Sequence, residues 1–203
     1  MKKGRPQIVV IDDDDATREA ICDLAESVGM AATGYPGCRA FLKDRASHDC
    51  DCLILDIRLP DGNGLKLHEQ LAVDGEAPPV IFISGFGDIP MVVQAMRQGA
   101  LDFLEKPFGS QALLDRIHLA LAHSTRQRRE RNLNSAVRAR IQLLTARERE
   151  VMELMAGGCS SKDIGRMLDI SVRTAEHHRA RVRAKMGVGT VAALVALLGG
   201  RSQ

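Results

Sequence analysis

Five short apolar runs, Gln7–Ile11, Ala31–Tyr35, Asp51–Asp56, Pro79–Ser84 and Leu101–Glu105, recur through the first 120 residues. Amphipathic stretches separate and follow them, at about 15–28, 37–45, 62–73, 89–98 and 110–123. Strand-length runs alternating with helical patterns predict βαβ units and a parallel sheet covered on both faces. Five such units predict an α/β fold, a flavodoxin-like doubly wound domain with five parallel strands. The fourth helix carries its own punctuation: Asp88 as N-cap, Pro90 in the first turn and Gly99 at the end.

The rest of the chain reads as helix. From Ser124 to Arg140 the apolar periodicity thins and Arg126, Arg128, Arg129, Glu130 and Arg131 crowd together, the pattern of a solvated helical linker continuous with the helix before it. Thr145-Ala146-Arg147-Glu148 is a capping box, with Val151, Leu154 and Met155 following at helical spacing. A short helix opens at Ser160–Asp163 and carries Ile164 and Leu168. Ser171 caps a third, whose buried stripe is expected to hold Val172, Ala175, Val182 and Met186 up to a stop at Gly187. Thr190 opens a fourth. Only Asp169 and Ile170 part the second helix from the Ser171 cap, and that brevity marks a helix-turn-helix. The expected divisions are 1–122, a helical linker over 123–140, and an all-α domain over 141–203.

A net charge of +2 conceals an asymmetry. Residues 1–120 hold 12 Lys+Arg against 19 Asp+Glu, and residues 121–203 hold 16 against 7. An acidic front half suits a cation, and a basic back half suits a polyanion. No apolar run approaches the ~18 residues of a membrane span, and the stretch after Met1-Lys2-Lys3-Gly4-Arg5 is too short for a secretory signal. Five cysteines, an odd number without a Cys-x-x-Cys pair, fit a reducing compartment. The expectation is a cytoplasmic chain with no membrane partner. Cys50-x-Cys52 reads as core and loop.

In a parallel α/β sheet, ligands sit beyond the carboxyl ends of the strands. There the chain carries Asp12 and Asp13 after the first run, Asp56 at the end of the third, Ser84 at the end of the fourth and Lys106 after the fifth. Carboxylates brought together repel unless a cation joins them, and Mg²⁺ or another hard divalent cation accepts carboxylates, waters and phosphate oxygens. One aspartate then serves as a nucleophile toward phosphorus, while cation, ammonium and hydroxyl meet the three oxygens of the transferred group. Asp14 and Asp15 read instead as helix-starting carboxylates favoured by the macrodipole.

The front half, over about 1–122, resembles the receiver domain of two-component response regulators. The matching stretches are Val9-Val10-Ile11-Asp12-Asp13-Asp14, Leu53-Ile54-Leu55-Asp56-Ile57-Arg58-Leu59-Pro60 and Glu105-Lys106-Pro107-Phe108. Ser84-Gly85-Phe86-Gly87-Asp88-Ile89-Pro90-Met91 and Gly99-Ala100-Leu101-Asp102-Phe103 are similar to the FixJ-type subgroup. The resemblance implies Asp56 as phosphoacceptor, Asp13 as direct Mg²⁺ ligand, Asp12 as an assisting one, a backbone carbonyl from Arg58, and Ser84 and Phe103 as switch residues. It also marks Lys106-Pro107 as a candidate cis peptide. Two departures are Ser84, where Thr is commoner, and Phe86, where His is frequent. A competing reading takes Asp13-x-Asp15-x-Thr17 as the nucleophile motif of haloacid-dehalogenase-type phosphatases, but it leaves Asp56 without a role.

Residues 141–203 resemble the LuxR-type helix-turn-helix. The resemblance rests on Leu144 to Val151, Ser161-Lys162-Asp163-Ile164-Gly165, Ile170 to Arg179 and Lys185-Met186-Gly187-Val188. Asp169 stands where Gly is commonest, and Asp tolerates the left-handed conformation better than most residues. The implied function is sequence-specific binding of double-stranded promoter DNA. Glu176, His177 and Ala180 would face bases, and Lys162, Arg173, Thr174, Arg179 and Arg181 would meet phosphates. An RNA-binding output is the alternative, disfavoured because no aromatic residue follows Phe108. His177 and His178, adjacent on a helix, point in different directions and make a poor metal pair. Together the resemblances imply a transcription regulator, not an enzyme. A sensor histidine kinase would phosphorylate Asp56 and drive homodimerisation, with RNA polymerase as downstream partner and activation as the output.

Overall fold

The computed structural model describes residues 4–44, 50–73, 77–85 and 89–199. Alternation along each strand builds its first unit. Val9 and Ile11 of β1 (Gln7–Ile11) enter one apolar cluster, Ile8 and Val10 the other, and all four are buried. The elements that follow are α1 (Asp15–Ser27), β2 (Ala31–Tyr35), α2 (Cys38–Asp44), β3 (Cys52–Asp56), β4 (Arg58–Leu59), β5 (Gly62–Asn63), α3 (Gly64–Val73), β6 (Val80–Ser84), α4 (Ile89–Arg97), β7 (Asp102–Glu105) and α5 (Ser110–Gln142). The five long strands pair in parallel in the order β2-β1-β3-β6-β7. Leu53, Leu55, Val80 and Phe82 join the cluster of α2 and α3, while Ile54, Ile81, Ile83 and Leu104 join that of α1 and α5. Each such side chain, fully buried, contributes roughly 1.5–3 kcal/mol, which is why the sheet needs a helix layer on both faces.

The α/β fold expected from the alternation is thus the fold observed, with strand limits within a residue of those read from sequence. The small antiparallel β4–β5 hairpin was not legible, because two-residue strands show no period. It has a structural task nonetheless: Asp61 at its turn accepts the backbone N–H groups of Cys38 (3.0 Å) and Arg39 (2.8 Å), and so caps the start of α2. Asp14 caps α1, accepting from the Ala16 N–H at 3.1 Å. The expected cap of α4, Asp88, lies outside the described residues, as does Phe86.

The chain divides into two compact units between Gln127 and Arg128, inside α5, which runs unbroken through the stretch read as a helical linker. On the first side, buried Ser124 donates to Asp51, whose other carboxylate oxygen takes the Gln7 N–H. On the second, Val137 already belongs to the helical core.

That second unit continues with α6 (Ala146–Ala156), α7 (Ser161–Leu168), α8 (Val172–Met186) and α9 (Val191–Gly199). The Thr145/Glu148 capping box is fully formed, and Ser160 and Asp163 form another at the start of α7. Asp169 sits in the left-handed region at φ 51°, and Ser171 accepts the Thr174 N–H at 3.0 Å. Ala175, Val182 and Met186 are fully buried as expected. Val172 is not: it is 45% exposed, because the stripe at the first turn of α8 runs past the helices that cover the rest.

Glu148, 1% exposed, joins α6 to the far end of α8 through a 2.6 Å ion pair with Lys185. The Lys185 ammonium, seconded by the Thr145 N–H, pulls its carboxyl from the ordinary 4.5 down to about 2. The unfolded chain therefore takes up this proton first on acidification. The stabilisation is present above about 4.5 and lost as pH falls toward about 2. Glu148→Gln is expected to cost the helical unit about 1–3 kcal/mol at neutral pH and to flatten its acid limb, as read by circular dichroism melts across pH. An acid limb identical to that of the parent chain would contradict the assignment.

Candidate functional site

Strand register, not sequence proximity, assembles the acidic site. Ile11 lies level with Leu55, so Asp12, one residue past β1, stands beside Asp56 at the end of β3. Ser84 lies level with Glu105, which brings Lys106 to the same edge, and the Lys106 N–H donates to the Ser84 carbonyl at 2.8 Å. Two buried carboxylates then share one ammonium: Lys106 Nζ donates to Asp12 Oδ2 and to Asp56 Oδ2, each at 2.6 Å. Their other oxygens take backbone donors, Asp14 N–H to Asp12 Oδ1 (3.0 Å) and Arg58 N–H to Asp56 Oδ1 (2.9 Å). Asp13 is the exposed member, and oxygens of Asp12, Asp13 and Asp56 lie within 4.8 Å of one another.

The electrostatics follow from that packing. Burial pushes the Asp12 carboxyl above its usual range despite the bonds from Lys106 and Asp14. Burial acts against the Lys106 ammonium too, but the bonds to Asp12 and Asp56 outweigh it and hold its pKa above the ordinary value. Three carboxylates and one ammonium leave a formal charge of −2 on hard oxygen ligands, the complement of one divalent cation. The donor set fits Mg²⁺ or a similar ion, and Asp12, Asp13 and Asp56 would hold it.

Arg58, Ser84 and Phe103, also expected at the site, belong to β4, β6 and β7. Ser84 is buried at the end of β6, and Phe103 on β7 is half-buried against the α2/α3 side of the core. Arg58 follows Asp56 in the chain with its side chain exposed, and Lys106-Pro107 is cis. Asp15 pairs with Arg18, and the Thr17 hydroxyl donates to Asp14 at 2.8 Å, so both are committed to the first turn of α1. That disfavours the haloacid-dehalogenase-type reading, which needs them at the site.

One positioning residue escaped the sequence reading. Gly64 opens α3 directly against the Asp56 backbone, where a Cβ would stand 2.3 Å from the Asp56 carbonyl oxygen. Only a residue without a side chain lets the helix start there. Its signal was the Asp61-Gly62-Asn63-Gly64 turn composition, which says "loop" but not "contact".

On the second unit, Lys162 of α7 and Arg173, Thr174, Glu176, His177, Ala180 and Arg181 of α8 are exposed. Arg179 differs: it is half-buried and donates to the Cys159 carbonyl at 2.7 Å, which ties α8 to the loop after α6. His177 and His178 hold their ring centroids 6.3 Å apart, with His178 half-buried. Cys52 is buried and Cys50 half-buried. No single helix among the described residues is long and apolar enough to cross a membrane.

Comparison with known proteins agrees with both halves. Residues 8–118 match the response regulator receiver domain, and residues 142–198 match the bacterial regulatory proteins of the luxR family. The transcriptional regulatory protein FixJ of Azorhizobium caulinodans is 42% identical over 193 residues, covering 94% of this chain and 92% of FixJ. The response regulator protein TmoT of Ectopseudomonas mendocina is 40% identical, covering 93% of this chain and 86% of TmoT. Among solved structures, the response regulator StyR superposes with a TM-score of 0.83 at 36% identity, covering 97% of this chain and 99% of StyR. Full-length FixJ from B. japonicum gives 0.60 at 35% identity, covering 98% of both chains.

Lys106→Met would leave Asp12 and Asp56 facing each other with no cation between them. The first unit is expected to lose about 3 kcal/mol without divalent ions and to regain most of it in millimolar Mg²⁺, a larger gain than the parent chain shows. Thermal melts with and without Mg²⁺ measure both, and equal Mg²⁺ responses would contradict the shared site.

Proposed function

The chain belongs to the response regulators, a receiver domain joined to a luxR-family DNA-binding domain that makes it a transcriptional regulator, and from that premise we propose that Asp56 is its phosphoacceptor and that phosphorylation governs its hold on promoter DNA. The observation that carries this reading is the Lys106 ammonium held at 2.6 Å from both Asp12 and Asp56, with Asp13 in reach.

A carboxylate oxygen of Asp56 attacks phosphorus. The O–P bond forms as the N–P bond of a phosphohistidine on a sensor kinase breaks, and the imidazole takes the electron pair. Lys106 then moves its hydrogen bond from the Asp56 carboxylate to a phosphoryl oxygen. The Ser84 hydroxyl takes another, and the buried Asp12 keeps Lys106 aimed at the edge of the sheet. A divalent cation on Asp13, Asp12, Asp56 and the Arg58 carbonyl would neutralise phosphoryl charge. Ser84 and Phe103 convey the change to the surface around α4 and β7, which favours homodimerisation.

The division we adopt is 1–122 for the receiver, 123–140 for the helical linker and 141–203 for the output domain. A dimer presents two copies of α8 to a pseudo-palindromic site. Glu176, His177 and Ala180 read bases; Lys162, Arg173, Thr174 and Arg181 meet phosphates. Arg179, whose bond to Cys159 holds α8, meets a phosphate with its remaining donors. The regulator works in the cytoplasm, where promoter DNA lies, and activates transcription with RNA polymerase.

Acetyl phosphate with Mg²⁺ is expected to label Asp56, as mapped by mass spectrometry. Treated full chain should enrich a duplex from a random library and bind it about tenfold more tightly than untreated chain, a gain equivalent to ~1.4 kcal/mol. Asp56→Asn should lose label and gain together. Labelling at Asp13, or full binding by untreated Asp56→Asn, would overturn the proposal.

A further inference from the structure

The last turn of α8 is gripped from outside the helix. Arg140 Nη1, near the end of α5, donates to the Met186 carbonyl at 2.9 Å, one of the acceptors that a helix C-terminus leaves without an internal partner. The guanidinium lies over Gly187, at φ 67°, where a Cβ would stand 3.2 Å from Nη1. Neighbouring carbonyls are met by the chain itself: Gly187 N–H goes to Ala184 at 3.2 Å and Val188 N–H to Arg183 at 3.0 Å. In the same last turn, Lys185 Nζ donates to the Leu143 carbonyl at 3.1 Å and to Glu148 at 2.6 Å. A cation at this helix end is favourable to the dipole as well.

These contacts come from residues 140–148, and the helix supplying Arg140 is part of the same core: Val137 is buried and Ile141 half-buried among Ala175, Val182 and Met186. The match to the luxR family begins only at residue 142. We propose that Arg140, outside that matched segment, is a positioning residue for the DNA-reading helix, so that the functional output unit takes in the part of α5 just before residue 141. This rests on the reading of α8 as the helix that meets base edges. Ten residues separate Met186 from Glu176, roughly 15 Å of helix, so a tilt of about 5° at the gripped end moves Glu176 by about 1 Å. That displacement is enough to spoil hydrogen bonds to bases.

The test uses full-length chain, Arg140→Ala, Arg140→Lys and a duplex enriched from a random library by the phosphodonor-treated parent. Arg140→Ala is expected to bind that duplex about tenfold more weakly, to exchange the amides of residues 184–188 faster, and to keep the salt dependence of binding unchanged. Arg140→Lys, which retains a charged donor for the Met186 carbonyl, should recover most of the affinity. Four results would overturn the proposal. They are affinity within twofold of the parent, faster exchange with no change in affinity, weaker binding without faster exchange, and weaker binding with a salt slope lower by about 0.9. The last would make Arg140 a direct phosphate contact. A parent that enriches no duplex would sink the DNA reading instead, and unchanged exchange at 184–188 would then still sink the grip on α8.

Discussion

A half-buried ammonium between two buried carboxylates organises the first unit. Asp12 and Asp56 stand where parallel strands end side by side, and without Lys106 their charges would oppose the packing that puts them there. The sheet supplies the coincidence through register: three residues separated by 50 and 94 positions along the chain meet because β1, β3 and β7 end at one edge. The pair also leaves the site short of positive charge, since Asp13 adds a third carboxylate at the exposed rim. With one ammonium against three carboxylates, the cluster could hold a divalent cation.

The output unit uses a different physics. Its helices are short and their termini numerous, so side-chain caps carry much of the specification: Thr145 with Glu148, Ser160 with Asp163, Ser171, and Asp169 in the left-handed region. Glu148 serves twice, closing the start of α6 and fixing Lys185 on α8. The helix that presents Glu176 and His177 is thereby held at its C-terminal end by one ion pair and a capped carbonyl, while Arg173, Thr174, Glu176 and His177 stay exposed.

Much of this was legible in sequence because period and punctuation report on it directly. Alternation in Val9-Val10-Ile11 and Leu53-Ile54-Leu55 encodes two-sided burial, and the residue types at four of the five strand ends mark the candidate site. What was not legible depends on contacts between segments with no period of their own. The Asp61 cap on α2, the approach of Gly64 to the Asp56 carbonyl and the Arg179 bond to Cys159 all belong to this kind. Val172 shows the converse: periodicity put it on the buried stripe, but burial needs a covering neighbour as well as a face.

In the proposed site, Asp12, Asp13 and Asp56 hold one cation with Lys106 at its back. Crystals of the full chain grown with Mn²⁺ in place of Mg²⁺ test it most directly through anomalous scattering. A single strong peak coordinated by carboxylate oxygens of Asp13 and Asp56 is the expected result. Peaks confined to other acidic groups, with Lys106 still clasping both aspartates, would contradict it.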